Sequence, residues 1–198
     1  MNAWWFVVAG FGLVIAAASV HGARRPAIPA AEMRVFRWIN GLPDFLYWLL
    51  WLPMQLGNLV VGTVAGLAVA LWQRDLRIAI GVVAAMVLKL VTEKVVRRQM
   101  AAFLGVRQRP GTSEPVVTVR GDVPHQGPSF PSGHVILVAA IACVVTPPLP
   151  PAWAWLPFAL TLLVMFGRIY VGAHNPLDTT AGLGTGLLLG GVLSAAFH

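Results

Sequence analysis

Apolar residues fill most of six stretches of the chain: 3–20, about 54–72, about 76–96, 134–148, 153–171 and 177–197. A helix needs about 20 apolar residues to cross the roughly 30 Å of hydrocarbon in a bilayer. Backbone groups in lipid must satisfy their own hydrogen bonds, which a helix does within one segment. The pattern therefore predicts an all-α fold: an integral membrane bundle of six transmembrane helices, forming a single membrane domain over residues 1–198.

Composition excludes an ordinary soluble domain. Charged residues make up 11% of the chain, whereas soluble domains carry roughly 25%. The chain has 14 Lys and Arg against 7 Asp and Glu. Because this basic surplus lies between apolar runs, it favours contact with membrane lipids or phosphate rather than nucleic acid. The lone Cys143, inside an apolar run, is expected to be a small buried residue, and the oligomeric state stays open.

Two segments between the first two runs are expected at the membrane surface. The stretch 44–53 is rich in aromatic residues and ends at Pro53, which is typical of the interface between water and lipid. Further upstream, Arg34 and Arg37 flank apolar residues that include Phe36, so the sequence predicts an interfacial amphipathic helix there.

Three polar clusters stand out: "RQRPG" at 107–111, "PSGH" at 131–134 and "GRIYVGAHNPLD" at 167–178. With six spans, the loops after the first, third and fifth spans lie on one face of the membrane. Ionisable residues near membrane depth usually mark a functional site. We therefore expect the three clusters to converge there.

The residue types in these clusters suit a bound phosphate. The guanidinium groups of Arg109 and Arg168 match phosphate oxygens in a bidentate manner. A helix that begins at Ser132 and Gly133 would point backbone N–H groups at an anion. No cluster of carboxylates is present to hold magnesium, so neither a metal nor another cofactor is expected.

Two histidines could then carry the chemistry. His174 and Asp178 stand four residues apart, so the carboxylate could accept a hydrogen bond from one ring nitrogen and leave the other free to attack phosphorus. His134, from a different helix, could protonate the departing oxygen. A structural capping pair is the alternative interpretation of His174 and Asp178.

These residues resemble the motifs of the type 2 phosphatidic acid phosphatase family, which is related to the vanadium haloperoxidases and glucose-6-phosphatase. The family motifs are K-x6-R-P, P-S-G-H and S-R-x5-H-x3-D. The second is intact at 131–134, and the third matches from Arg168 to Asp178 with Gly167 in place of serine. The resemblance covers about 76–195 and implies a metal-independent phosphatase. It also implies a phosphohistidine at His174, with His134 as acid and then base.

The first motif departs from this pattern. Arg109 and Pro110 are present, but Ala102 occupies the position of the lysine. Counting along a helix leaves Lys94 and Arg98 as candidate phosphate ligands, since Arg98 and Arg109 are about three turns apart. Lys94 is the preferred candidate.

A site at the ends of membrane helices favours a lipid substrate. Polyprenyl phosphate or diphosphate is favoured, and phosphatidate and phosphatidylglycerol phosphate are alternatives. The missing lysine and serine leave a second hypothesis, a degenerate protein that binds a phospholipid or joins a complex without turnover. A haloperoxidase is a third, less favoured interpretation.

The resemblance places the protein in the plasma (inner) membrane, with the active site on the extracytoplasmic side. The positive-inside rule argues the other way, because the loop after the first span carries four arginines and the opposite face two.

Among the other polar residues, Lys89 and Glu93 are expected to neutralise each other. Arg120 and His125 are expected in a solvated loop.

Overall fold

A computed structural model of the protein describes residues 3–24, 27–103, 107–114, 116–124 and 126–197, without the side chains of 100–103. Within these ranges the regular structure is helical, with one isolated β-bridge between Gln108 and Pro128. The helices are α1 (Ala3–Gly22), α2 (Ala30–Asn40), α3 (Leu46–Gln55), α4 (Leu59–Gln73), α5 (Leu76–Phe103), α6 (Pro110–Ser113), α7 (Gly133–Val145), α8 (Leu156–Tyr170) and α9 (Pro176–Phe197). The all-α prediction is confirmed.

Helix length and composition support part of the predicted membrane bundle. Three segments of the described chain are long and apolar enough to span: Ala3–Gly22, Pro151–Tyr170 and Pro176–Phe197. The pair α3 and α4 adds a fourth if it forms one bent span. Helix α7 is apolar but has only 13 residues, and the C-terminal half of α5 is rich in charge. The protein is an integral membrane protein, while the count of six spans remains an expectation.

The second predicted span begins later than expected. Instead of one helix from residue 54, the chain bends by 65° between α3 and α4. Asn58 caps α4, accepting hydrogen bonds from the N–H groups of Val60 (2.9 Å) and Val61 (3.3 Å), as short polar side chains do at helix starts. The aromatic stretch 44–53 therefore belongs mostly to α3. A helix also forms where the amphipathic segment was predicted, as α2.

Helix α7 lies at the centre of the bundle. Every residue of α7 except His134 is buried, and α5, α8, α9 and α4 pack around it. A Cβ built on Gly186 of α9 would lie 2.5 Å from the Ala139 Cβ, and one on Gly190 would lie 2.6 Å from the Ala140 carbonyl oxygen. The helix is apolar all round because it has no exposed side.

Helices α1 and α9 also pack backbone to backbone. A Cβ on Gly12 would lie 2.5 Å from the Leu188 nitrogen, and one on Gly191 would lie 2.8 Å from the Ala9 nitrogen. Small residues allow this approach in membrane helices. The glycines of α9 therefore serve its close packing against α1.

Arg120 joins three elements on the polar side of the bundle. Its guanidinium donates hydrogen bonds to the carbonyl oxygens of Asn40, Leu42 and Tyr170 at 2.8–2.9 Å. It also lies 4.2 Å from the centre of the Tyr170 ring and pairs with Asp44. The expectation of a solvated Arg120 is wrong, because these carbonyls at the ends of α2 and α8 need donors. His125 lies outside the described residues.

Candidate active site

The three polar clusters meet at one end of the bundle. The loop of Arg107 and Arg109 is fixed by residues 127–129: the Ser129 N–H donates to the Arg107 carbonyl and the Arg109 N–H to the Gly127 carbonyl, both at 2.9 Å. The same loop contacts the start of α9 through Asp178. The predicted convergence of these clusters is therefore present in the structure.

His174 lies in the turn between α8 and α9, directly beside Asp178. The carbonyl of Arg168 accepts hydrogen bonds from the N–H groups of Ala173 (3.1 Å) and His174 (3.2 Å), which shapes the turn. The His174 Nδ1 is 3.9 Å from the Asp178 Oδ2. This distance allows ion pairing but is longer than a hydrogen bond. The two side chains are neighbours, as the spacing predicted, without the expected hydrogen bond.

Burial keeps the His174 ring neutral. It lowers the pKa of His174 to about 4, and the positive charges of Arg168 and Arg109 act in the same direction, while Asp178 opposes the shift. A neutral imidazole has a free lone pair, which a nucleophile needs.

Asp178 is held by groups that the sequence analysis did not select. Its Oδ1 accepts a hydrogen bond from the Arg107 Nε at 2.8 Å, and its Oδ2 accepts one from the Asn175 N–H at 2.9 Å. Arg107 also donates to Glu32 of α2, and Glu32 accepts the Leu177 N–H at 2.8 Å. Helix α2 thus fixes the orientation of the carboxylate. No local sequence pattern signals Glu32, since Leu177 lies 145 residues further along the chain.

Arg109 and Arg168 both enter the site as predicted. Arg109 donates to the Ala173 carbonyl at 2.7 Å. Burial lowers its pKa, as does the charge of Arg97, while Asp178 and Glu93 oppose this shift. The Arg168 side chain is buried, and its Nε has no hydrogen-bond partner among the described residues.

Ser132 and Gly133 form the start of α7, but only one of their two backbone N–H groups lacks a hydrogen bond to the described part of the protein. The Ser132 N–H donates to the Asp178 carbonyl at 3.0 Å, so this amide is already engaged, and its contact with phosphate stays a prediction. Its hydroxyl is buried and has no partner among the described groups. Gly133 lies against the Glu93 carboxylate: a Cβ at this position would be 2.8 Å from the Glu93 Cδ.

His134 follows in the first turn of α7. A Cβ added to Gly57 would lie 2.7 Å from the His134 Cβ, so the break between α3 and α4 supports the imidazole from one side. His174, Arg168 and Arg109 are near enough to interact with His134 electrostatically. Both predicted histidines therefore belong to one site.

Helix α5 presents a different cation from the two that were predicted. Lys94 and Arg98 are exposed and make no ion pair with described residues. Arg97 lies on the side of Arg109 instead and pairs with Glu93. Lys89 pairs with the same carboxylate at 2.6 Å, as the sequence predicted. Side chains are not described at Ala102, and Gly105 lies outside the described ranges.

Gly167, which replaces the serine of the third motif, faces α3 rather than the histidines. A Cβ at this position would lie 2.5 Å from the Met54 Cγ and 2.7 Å from its Sδ. The close packing of α3 on α8 therefore accounts for a residue without a side chain. A serine here would have to displace Met54.

An apolar groove lies between α4, α7 and α8. Its volume is about 390 Å³, and residues of α4, α7 and α8 form most of its wall. Leu56 lies at the end near Gly57 and His134, while Trp72 and Trp153 line the other end. Such an apolar wall suits a hydrocarbon chain.

Comparison with known proteins shows similarity at the level of sequence and of fold. The PAP2 superfamily profile matches residues 76–198. An undecaprenyl-diphosphatase from Sulfolobus acidocaldarius is 42% identical over 57 residues, which are 27% of this chain and 26% of that protein. The chain thus spans about a quarter of the length of this curated relative.

Two solved structures share the fold. The crystal structure of Aquifex aeolicus LpxE has a TM-score of 0.70 at 22% identity, covering 85% of this chain and 97% of that one. A transmembrane PAP2-type phosphatidylglycerolphosphate phosphatase from Bacillus subtilis has a TM-score of 0.62 at 19% identity, covering 97% and 94%. At these identities the similarity establishes the architecture.

Proposed function

The chain belongs to the PAP2 superfamily, and we propose that it is a membrane phosphatase that hydrolyses a phosphate monoester or diphosphate on a lipid. The observation that carries this proposal is the convergence of His174, His134, Arg109 and Arg168 in one buried site. Two arginines and two histidines without an excess of acid match the charge of a phosphoryl group.

In the proposed reaction His174 is the nucleophile. Its Nδ1 faces Asp178, so Nε2 attacks phosphorus while the bond from phosphorus to the lipid oxygen breaks. His134 donates a proton to that oxygen, and the lipid alcohol, or lipid monophosphate from a diphosphate, leaves. Water then attacks the phosphohistidine while His134 accepts a proton, and inorganic phosphate is released. Arg109 and Arg168 stabilise the oxygens of the transferred group throughout.

A lipid substrate is supported by the apolar groove, which can hold a hydrocarbon chain and whose lining includes Leu56, the neighbour of the Gly57 that contacts His134. Among lipid phosphates we favour a polyprenyl phosphate or diphosphate, since one curated relative is named an undecaprenyl-diphosphatase. Phosphatidate and phosphatidylglycerol phosphate are the alternatives. The proposed location is the plasma (inner) membrane, with the site on the extracytoplasmic side.

Phosphate release by purified protein in detergent tests the activity. The panel contains undecaprenyl diphosphate, undecaprenyl phosphate, phosphatidate and phosphatidylglycerol phosphate. We expect release from at least one lipid, its loss in His174→Ala, and acid-labile phosphorylation of His174. His21→Ala, at an exposed position in the last turn of α1, is the matched control and should retain activity.

The departures at Ala102 and Gly167 support one competing hypothesis, a binding protein that does not turn over its lipid. Binding of these lipids without phosphate release from any of them would favour that hypothesis and contradict the proposed activity.

A further inference from the structure

The carboxylate of Glu93 lies where the phosphate of a substrate is expected. It contacts Gly133 at the N-terminal end of α7, where a Cβ would be 2.8 Å from its Cδ. The positive end of a helix favours an anion. Glu93 is therefore the protein's own anion at the start of this helix.

Cations surround this carboxylate. Lys89 is 2.6 Å from its Oε2, and Arg97 pairs with its Oε1 from the next turn of α5. Its charge also acts on Arg109. Glu93 is thus neutralised by cationic side chains of the kind that would neutralise a phosphoryl group. Some of these residues would do both.

Other polar atoms nearby have no partner among the described residues. They are the Ser132 Oγ, the Arg168 Nε and the Arg97 Nε, all buried. A carboxylate has only two oxygens and is attached to α5, so it accepts hydrogen bonds from only some of the donors around it. A phosphate has more oxygens and a larger charge, and could accept hydrogen bonds from these donors as well.

We propose that Glu93 is a resident anion of the phosphate site, which substrate phosphate displaces when it binds. In the free protein Glu93 neutralises Lys89 and Arg97 and holds them at the start of α7. When phosphate enters, it takes over these cations and the carboxylate moves away from Gly133. This inference rests on the proposed function and assigns Glu93 the role of lowering the affinity for phosphate, including the released product.

The test is equilibrium binding of inorganic phosphate, measured by thermal stabilisation of the full chain in detergent, since a ligand stabilises the folded state according to its Kd. Glu93→Gln removes the competing charge and keeps the shape of the side chain. We expect its Kd for phosphate to fall by roughly tenfold or more relative to the unmodified chain. Without phosphate its melting temperature should be lower, because Lys89 and Arg97 then repel each other.

Asp122→Asn is the matched control. Asp122 is exposed in the loop on the same side of the protein, so this variant changes the net charge equally without touching the site. Its Kd should stay within about twofold of the unmodified chain, because exposed charges are screened by salt. A Kd for Glu93→Gln that is unchanged or higher would overturn the proposal and leave Glu93 as a scaffold for Arg97.

If Glu93→Gln does not fold, Glu93→Asp provides the measurement. It keeps the charge and withdraws the carboxylate from Gly133 by one methylene, so phosphate should bind more tightly than to the unmodified chain. Equal or weaker binding contradicts the proposal. Because phosphate binding requires no turnover, these results are separate from the phosphatase assay: a chain that binds phosphate in this way but releases none from any lipid would refute only the activity.

Discussion

The Arg107 Nε lies 2.8 Å from the Asp178 Oδ1, and both side chains are fully buried. This contact connects the loop before α6 to the first turn of α9, four residues after His174. Arg107 continues to Glu32 of α2. The aspartate that faces His174 is therefore held from two distant parts of the chain.

Arg107→Met should strongly destabilise the protein, because Asp178 and Glu32 would keep their charges without this partner. Removing one member of a buried pair costs about 3–5 kcal/mol. Arg34→Met is the control, since Arg34 is exposed on α2; a surface substitution of this kind should change stability by at most about 0.5 kcal/mol. Denaturation of both variants in mixed micelles measures the difference in their free energies of unfolding. Equal losses of stability would contradict the role of Arg107 as the buried partner of Asp178 and Glu32.

Arg97→Gln should reduce kcat/KM for the lipid phosphate by roughly 10- to 100-fold, the usual effect of losing one charge at a transferred phosphoryl group. The neighbouring variant Arg98→Gln removes the same charge at an exposed position and should stay within about twofold. Steady-state kinetics of the pair decide which residue replaces the missing motif lysine. A larger effect at Arg98, or at Lys94, would restore the prediction made from the sequence.

The His174 ring should remain neutral well below the ordinary range of histidine. Its pKa is lowered to about 4 by burial, whereas an unperturbed histidine titrates near 6.5, as expected for the unfolded chain. NMR of imidazole-labelled protein in micelles, with the signal assigned by its loss in His174→Asn, should show no titration between about pH 8 and 5.5. A midpoint near 6.5 would contradict the buried, neutral nucleophile.

The same shift predicts how stability depends on pH. Between about pH 4 and 6.5 the unfolded state binds a proton at His174 that the folded state does not. The contribution of neutral His174 to the free energy of unfolding is therefore complete above about pH 6.5, and it is lost as the pH falls towards 4. In His174→Asn the melting temperature should fall less across this window.

Arg120→Ala should lower stability without removing a group that contacts phosphate. Arg120 donates three hydrogen bonds to backbone carbonyls at the ends of α2 and α8, and hydrogen bonds from a charged donor are worth about 1.5–3 kcal/mol each. Because Arg120 is only half-buried, water can replace part of these bonds in the variant, and we expect a loss of roughly 2–4 kcal/mol, with kcat/KM per folded molecule changed by less than about threefold. Thermal melts and an active-site titration separate the two effects. A large drop in kcat/KM would give Arg120 a role at the substrate.

Gln126→Cys tests the orientation of the site. Gln126 is exposed on the loop beside Arg109, and the native Cys143 is buried, so a membrane-impermeant maleimide should react with the new thiol alone. Labelling in intact cells is expected if the site is extracytoplasmic. Labelling only after permeabilisation would support the orientation that the positive-inside rule favours.

The histidine site was accessible from the sequence because its key pairs are local. His174 and Asp178 are four residues apart, so their spacing places them together, whereas the meeting of His134 with this pair was inferred from the expected order of membrane spans and from the family motifs. The break between α3 and α4 could also have been found, because Gly57 followed by Asn58 is a typical helix end followed by a helix cap.

Other parts of the site depend on contacts that spacing does not encode. Glu32 is connected to Arg107 and Leu177 only through the packing of α2. The choice between Lys94 and Arg98 assumed a helical phase carried from α5 across Gly105 to Arg109. The backbone at Arg109 is extended, so a helical phase does not reach it, and Arg97 is the residue of α5 whose positive charge acts on Arg109.

The glycine contacts between α1 and α9 bear on how the protein could be divided. The family profile begins at residue 76, yet α9, which carries Asp178, packs its backbone against Gly12 and Ala9 of α1. A fragment starting at 76 would leave that strip of α9 as a shallow notch without side chains, which the tails of lipids fill poorly. The segment that the family profile matches therefore does not form a complete packing unit by itself. Transferring it into another protein would require α1 as well.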